Sequence, residues 1–306
     1  MSLQIRKLSV GRRVDGEPWQ IPLIEIRGSS PGPSTAFVAG VFGDKALSCL
    51  TLTTLAAQLE PASLRGNVYL VPAANPPALA VGTRISPDHF YLNRRFPGAP
   101  TGPLTDQIAR CVFDELTGLA DWVVDVHSGT PTMSLWYSYD YGDVEATASF
   151  GHLPVIVDSA IEGQFSFAAM RKGVKSFLPE FGGGALGDPA IGIEGCLNVL
   201  RYRGQLAGRA SGPAKVPLIK GPRFYAPSVA GILQSPYATS DVGKPIPRGV
   251  IGWVTVPGTG ERIEEFTNDI DDGRLLLVTT TPRLVAPGDF AFMVGPVVGS
   301  VDVPNA

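Results

Sequence analysis

The chain has 306 residues, of which 44% are apolar and 17% charged, and a formal net charge of −3 at pH 7. This length predicts two domains, and the near-neutral charge balance predicts neither a nucleic-acid surface nor a polybasic membrane patch. No apolar stretch approaches the roughly 20 residues that cross a bilayer, and we expect no signal peptide. Three cysteines favour a reduced, cytoplasmic protein. A small soluble ligand is therefore the better expectation.

The first predicted elements form a strand–turn–helix unit. Thr35 to Val41 is an apolar run with β-branched residues and predicts a strand, and Gly43-Asp44 predicts a turn. Lys45 to Leu59 has apolar residues at helical spacing and predicts a helix. Another strand is predicted at Asn67 to Val71, before a polar loop rich in glycine and proline.

Polar side chains follow the ends of four predicted strands. Two of these strands are Trp122 to Val126, which delivers a histidine, and Val174 to Leu178, which is followed by a glutamate. Ligands bind outside the carboxyl ends of strands in open α/β sheets, so the polar groups should converge on one crevice. The side chains concerned are those of Lys45, Arg84, Asn93, Arg94, His127 and Glu180.

The character of the chain changes between Arg203 and Lys220. Before this segment, strands alternate with predicted helices such as Leu104 to Leu119, the pattern of a layered α/β domain. After it, glycine and proline separate short apolar runs such as Leu275 to Thr280, which predict strands of a small sandwich or barrel. We therefore predict an α/β domain at residues 1–210 and an all-β domain at residues 211–306.

Four segments, taken in order, resemble the succinylglutamate desuccinylase/aspartoacylase family, relatives of the zinc carboxypeptidases. They are VAGVFGDK, NPPALAVGTRISPDHFYLNRRFPG, ADWVVDVHSG and PEFGGG. The resemblance implies a mixed-sheet, three-layer, carboxypeptidase-like α/β domain followed by a small all-β domain. It also implies that the β domain leans over the crevice, where it limits substrate size or mediates assembly into a homo-oligomer.

The resemblance further implies the roles of individual residues. It implies two roles for Arg84, Asn93 and Arg94: they would bind the carboxylate of the substrate and polarise the substrate's reacting carbonyl. Glu180 would be the catalytic carboxylate. Arginine suits the first role because its planar fork binds a carboxylate through two hydrogen bonds. A solvated surface is the alternative for the arginines, and bracing of the glycine-rich turn is the alternative for Glu180.

The family pattern implies zinc ligands at positions 42, 45 and 127, and two of these differ in this chain. Phe42 has no donor atom, and Lys45 is ordinarily an ammonium that repels a cation, so only His127 remains. A hydrolytic zinc site needs three protein ligands and an open position for water. Zinc is therefore expected for the family, but useful affinity for it is not expected here.

Two interpretations of this departure stay open. In the first, a metal site is rebuilt from other donors; in the second, the ammonium of Lys45 lies between His127 and Glu180 and replaces the metal beside a substrate carbonyl. A buried lysine can also act as a base or form a Schiff base, and an inert Lys45–Glu180 ion pair is the structural alternative. The other donors are His89, His152, Asp44, Asp88, Asp125 and Cys49.

Two further groups of residues are candidates for the same crevice. Asp125 lies two residues before His127, on the same side of the strand, and could orient the imidazole. An aromatic cluster after the histidine strand predicts either a pocket wall for an apolar or planar group or a hairpin with paired rings. The cluster consists of Trp136, Tyr137, Tyr139 and Tyr141.

Two function classes follow. The first is an enzyme that cleaves the amide or ester bond of a small carboxylate-bearing N-acyl amino acid, with Glu180 as general acid and base. A metal-free lyase, cyclase or acyl transferase is compatible with the same residues. The second class is a non-catalytic protein that binds small carboxylates. Fold alone does not decide between them, because function resides in the site.

Overall fold

The computed structural model describes residues 2–304. Within this range the strands are β1 Ser2–Val10, β2 Trp19–Arg27, β3 Ser30–Val38, β4 Arg65–Val71, β5 Trp122–Asp125, β6 His127–Ser128, β7 Met133–Asp140, β8 Val155–Val157, β9 Lys175–Gly182, β10 Lys215–Lys220, β11 Arg223–Tyr225, β12 Gly231–Gln234, β13 Pro245–Ile246, β14 Gly249–Thr255, β15 Arg262–Asn268, β16 Gly273–Thr279, β17 Arg283–Val285 and β18 Phe292–Asp302. The helices are α1 Ala46–Gln58, α2 Pro76–Val81, α3 Leu104–Leu119, α4 Val144–Ala148, α5 Phe165–Arg171 and α6 Ala190–Tyr202, with 3-10 turns at Pro61–Ser63, Leu92–Arg94 and Thr239–Asp241.

Most strands join one large mixed sheet. Its order is β1-β2-β4-β3-β5-β9-β7-β8-β10-β18-β16-β13, with β6 beside β9 and β11 beside β18. The centre is parallel: β3 pairs with β4 and β5, and β9 pairs with β5 and β6. A separate four-stranded sheet has the order β15-β14-β12-β17. The predicted layered α/β fold with a mixed sheet and C-terminal β structure is confirmed.

Helices cover both faces of the large sheet. One core contains Leu52 and Leu55 of α1 together with Val199 of α6. The opposite core contains Val112 of α3 and Phe165 of α5. Burial of these apolar faces on the central strands supplies the main driving force for the three-layer arrangement.

The helix predicted at Leu104 to Leu119 is confirmed as α3 with the same bounds. Its apolar residues recur at a spacing of three or four positions, which places one face on the sheet. By contrast, the strand predicted to end at Leu178 continues to Gly182, so Glu180 lies inside β9 and not after it. No helix within residues 2–304 is long and apolar enough to cross a bilayer.

The C-terminal strands belong to two sheets. Strands β10, β13, β16 and β18 extend the large sheet, and β16 also pairs with β7 of the central region. Strands β12, β14, β15 and β17 form the smaller sheet. Hydrogen-bonded strand pairing therefore connects the C-terminal β structure to the α/β region, and brings its loops near the carboxyl ends of the central strands.

Candidate active site

Strand register places three side chains of the site in one row. In the parallel pair of β6 and β9, His127 is the partner of Glu180. In the antiparallel pair of β7 and β9, Tyr137 is the partner of Glu180. Partner residues on neighbouring strands project from the same face of the sheet, so the three side chains meet there. Glu180 is therefore positioned by a rigid strand with a neighbour on each side.

Lys45 lies directly after the tight turn that joins β3 to α1. Gly43 in this turn passes the backbone of α2 so closely that a β-carbon would lie 2.1 Å from the carbonyl oxygen of Ala78. Only glycine fits at that point. The Lys45 side chain points into the protein and is 2% exposed; its Nζ donates to Oε2 of Glu180 at 2.6 Å and lies 3.4 Å from Nδ1 of His127. The Lys45 side chain thus lies against both groups.

Asp125 contacts the side of the imidazole that faces away from Lys45. Nε2 of His127 donates to Oδ1 of Asp125 at 3.0 Å, and Nδ1 lies 3.6 Å from Oε1 of Glu180. Burial opposes protonation of His127, but the two carboxylates outweigh burial and raise its pKa. The other carboxylate oxygen of Asp125 is buried without a hydrogen-bond partner among the described residues.

Glu180 is ionised at neutral pH. Burial favours its protonated form, but the Lys45 ammonium and the His127 imidazole outweigh burial and hold the pKa of Glu180 at about 2. Burial lowers the pKa of Lys45, and the nearby Glu180 carboxylate partly offsets that effect. The pair therefore combines a carboxylate with a lysine that contacts the imidazole and lines the cavity.

Phe42 supplies an aromatic surface to the two neighbouring cations. Its ring lies 5.1 Å from the Lys45 ammonium and 4.2 Å from the Arg84 guanidinium, both within the range of cation–π attraction. It also packs edge-on against His127, with ring centroids 5.4 Å apart. The residue at this position therefore stabilises positive charge through its ring and offers no ligand atom.

The donors at this point do not fit a zinc ion. Phe42 has no lone pair, and the Lys45 ammonium is bound to Glu180, which leaves one imidazole. Within residues 2–304, no group of three histidine, cysteine, aspartate or glutamate side chains is arranged to hold a metal. The chemistry of these side chains thus departs from the three-ligand set that hydrolytic zinc requires.

The remaining candidate donors do not form a three-ligand set with His127: Asp125 is bound to the imidazole, and one oxygen of Asp44 is buried without a hydrogen-bond partner among the described residues. Asp88 accepts hydrogen bonds from the backbone nitrogen and hydroxyl of Thr105 at 2.8 and 2.6 Å. His89 is exposed, and His152 is half-buried. Burial raises the pKa of Cys49 to about 11, so its thiol is protonated at neutral pH. These positions do not add ligands beside His127.

The predicted carboxylate-binding residues line the same cavity. Asn93 is buried, and its Oδ1 has no hydrogen-bond partner among the described residues. The Arg84 guanidinium lies 4.2 Å from the centroid of the Phe42 ring and lines the cavity. Arg94 is exposed and donates to the carbonyl oxygen of Asn93 at 2.6 Å. Two guanidinium groups and an amide therefore flank the Lys45–Glu180 pair.

Buried hydrogen bonds fix the loop that carries Arg84. The Asn75 amide donates to the carbonyl oxygen of Val41 at 3.1 Å and to the Ser86 hydroxyl at 3.0 Å. The hydroxyl donates back to Oδ1 of Asn75 at 3.2 Å. These hydrogen bonds connect the loop to the segment before Phe42 and so fix the backbone two residues after Arg84.

The cavity has a volume of about 300 Å³. Of the aromatic cluster, Tyr137 and Tyr139 line it, and burial raises the pKa of Tyr139 to about 12, so that phenol is neutral. Trp136 packs in the core, and Tyr141 donates to Gln164. The lining residues are Phe42, Lys45, Arg84, Asn93, Arg94, Met133, Leu135, Tyr137, Tyr139, Ile161, Gln164, Glu180, Phe224, Leu277 and Phe290.

Sequence reasoning missed the lining residues that come from distant segments. Phe224 and Phe290 belong to the C-terminal β region, and Gln164 precedes α5. No motif identifies them, because the packing of whole elements from distant parts of the chain places them at the cavity. His127 contacts Lys45 and Glu180 but is not among the lining residues found within residues 2–304.

Comparison with known proteins gives one family match. Residues 31–191 match the succinylglutamate desuccinylase/aspartoacylase catalytic domain, more than half of the chain. A curated relative, the N-alpha-acetyl-L-2,4-diaminobutyric acid deacetylase of Halomonas elongata, is 29% identical over 243 residues, which are 72% of this chain and 69% of the relative.

Solved structures resemble almost the whole chain. The product-bound ectoine utilization protein EutE (DoeB) of Ruegeria pomeroyi has a TM-score of 0.83 and 26% identity, over 96% of this chain and 95% of that one. The succinylglutamate desuccinylase/aspartoacylase of Rhodobacter sphaeroides has a TM-score of 0.83 and 24% identity, over 96% of both chains. The latter similarity shows a shared fold.

Proposed function

This chain belongs to the succinylglutamate desuccinylase/aspartoacylase family, and we propose that it is a deacylase that cleaves small carboxylate-bearing N-acyl amino acids with Lys45 at the position of the family's zinc. The observation that carries this proposal is the Lys45–Glu180 contact of 2.6 Å in the wall of a cavity that also presents Arg84 and Asn93. The Halomonas relative is a deacetylase, and this supports deacylation as the class of reaction.

The proposed residue roles follow from the contacts. Arg84, Arg94 and Asn93 bind the substrate carboxylate, and the Lys45 ammonium donates to the oxygen of the amide carbonyl as negative charge develops there. Glu180 begins as a carboxylate and accepts a proton from the attacking water. It then returns that proton to the leaving nitrogen as the C–N bond breaks, which gives a carboxylic acid and a free amine.

The experiment compares Glu180→Gln with the wild type on N-acetyl amino acids. We expect Glu180→Gln to abolish turnover and to leave the affinity for a carboxylate ligand within a few-fold. Glu162→Gln is the control, since Glu162 is exposed and pairs with the exposed Arg171. Unchanged turnover in Glu180→Gln would remove Glu180 from the mechanism.

A non-catalytic carboxylate-binding protein is the second candidate. It is favoured by the Lys45–Glu180 ion pair, which neutralises a buried carboxylate without any need for catalysis. This candidate predicts carboxylate binding without turnover in the wild type, and equal ligand affinity in Lys45→Met. Loss of turnover in Lys45→Met with retained binding would instead support the enzyme.

A further inference from the structure

Two large aromatic side chains are exposed at the cavity. Phe224 is 49% exposed and Phe290 is 44% exposed, yet both line the space that contains Lys45 and Glu180. Their ring centroids are 6.3 Å apart and the rings are tilted by 56°. Each ring keeps apolar surface in water, which costs free energy that burial against a ligand would recover.

Apolar walls continue from these rings into the cavity. Met133, Leu135 and Leu277 also line it, so a flat substituent would find apolar surface along its length. The Arg84 guanidinium lies 5.6 Å from the Phe290 ring. A group on the two rings would therefore lie beside the proposed carboxylate-binding residues.

The charges around the cavity disfavour a cationic substituent. Three cations, Lys45, Arg84 and Arg94, line it together with one carboxylate, Glu180, among the described residues. That carboxylate is already bound by Lys45. An ammonium group of the substrate placed beside these three cations would meet repulsion, whereas an uncharged ring would not.

We propose that Phe224 and Phe290 form an apolar subsite that selects substrates with an aromatic or similarly flat, uncharged substituent. This inference rests on the proposed deacylase function and names its substrate class. The ring can belong to the acyl half or to the amino-acid half of the substrate, and both sources share the same chemistry. The volume of about 300 Å³ is at the lower end of ligand pockets, roughly 300–1,000 Å³, which limits the substituent to about one ring.

Three compounds test the subsite: N-acetylglycine, N-benzoylglycine and N-acetylphenylalanine. Calorimetry gives the dissociation constant of each, and amine release gives turnover. We expect at least one ring-bearing compound to bind about threefold to tenfold more tightly than N-acetylglycine, the range of aromatic pair interactions. Which compound gains affinity identifies the half of the substrate that meets the rings.

Variants separate a specific contact from a general apolar effect. The ratio compares the affinity for the ring-bearing compound with the affinity for N-acetylglycine. It should fall to about one in the double variant Phe224→Ser/Phe290→Ser and should be retained in the double variant Phe224→Tyr/Phe290→Tyr. Leu284→Ser is the matched control, because Leu284 is 73% exposed in β17 and does not line the cavity. It should leave the ratio as in the wild type.

Equal affinity of the wild type for all three compounds would overturn the subsite, as would a ratio that persists in the double serine variant. A normal ratio without turnover of any compound would support the subsite and count against the proposed deacylase reaction. The experiment therefore distinguishes failure of the proposed subsite from failure of the proposed deacylase reaction.

Discussion

Lys45 donates to Glu180 at 2.6 Å, and the two side chains are 2% and 10% exposed at the wall of the cavity. Two buried charges of opposite sign are each stabilised mainly by the other, because removal of one leaves the other desolvated and unpaired. This relationship makes the pair a structural element as well as a candidate catalytic one, and it determines which substitutions are informative.

The first prediction concerns stability. Lys45→Met and Glu180→Gln should each destabilise the protein by about 3–5 kcal/mol, and the double variant should cost clearly less than their sum, because no uncompensated charge remains. Urea unfolding of the four proteins measures the coupling. The exposed pair Arg171–Glu162 is the control, and its coupling free energy should be no more than about 1 kcal/mol. Additive effects at the buried pair would show that the two charges do not stabilise each other.

The second prediction concerns zinc. Protein purified without chelator should contain no stoichiometric zinc by mass spectrometry, because His127 is the one ligand that remains at the family's three positions. Phe42→His/Lys45→Glu should bind about one zinc ion per chain, and addition of His127→Ala should abolish that binding. Near-stoichiometric zinc in the wild type, lost in His127→Ala, would mean that other ligands rebuild the site.

The third prediction concerns recognition of the carboxylate. Wild type should bind N-acetylglycine more tightly than the neutral N-acetylglycinamide, and Arg84→Met should weaken binding of the acid by about tenfold to a hundredfold while affecting the amide much less. Arg209→Met is the control, since Arg209 is exposed and outside the cavity lining. Equal loss for acid and amide would indicate that Arg84 does not contact the carboxylate.

The fourth prediction concerns Cys49. Burial raises its pKa to about 11, so only about one thiol in a thousand is ionised at pH 8. Iodoacetamide should therefore modify Cys49 slowly in the folded protein, with a rate that rises about tenfold per pH unit, and rapidly in urea. Peptide mass spectrometry identifies the site. A native rate equal to the unfolded rate at pH 8 would place the thiol in a different environment.

Local sequence patterns were sufficient for much of the fold. The spacing of apolar residues predicted α3 with its observed bounds, and the strand–turn–helix unit around Gly43 was also predicted. These elements depend on interactions between residues a few positions apart, which the sequence displays directly. The end of β9 was predicted wrongly, because an apolar run shows where a strand is buried and not how far its hydrogen bonding continues.

The composition of the site was visible in the sequence, but its geometry was not. The residue types at positions 42, 45, 127 and 180, set beside the family's pattern, predicted a changed metal site, and strand ends predicted that the polar groups converge. The register of β6 with β9 decided that His127 and Glu180 are neighbours. The pairing of C-terminal strands with the large sheet decided that Phe224 and Phe290 reach the same cavity. Such contacts join residues far apart in the chain, so they depend on the packing of whole elements and leave no local pattern in the sequence.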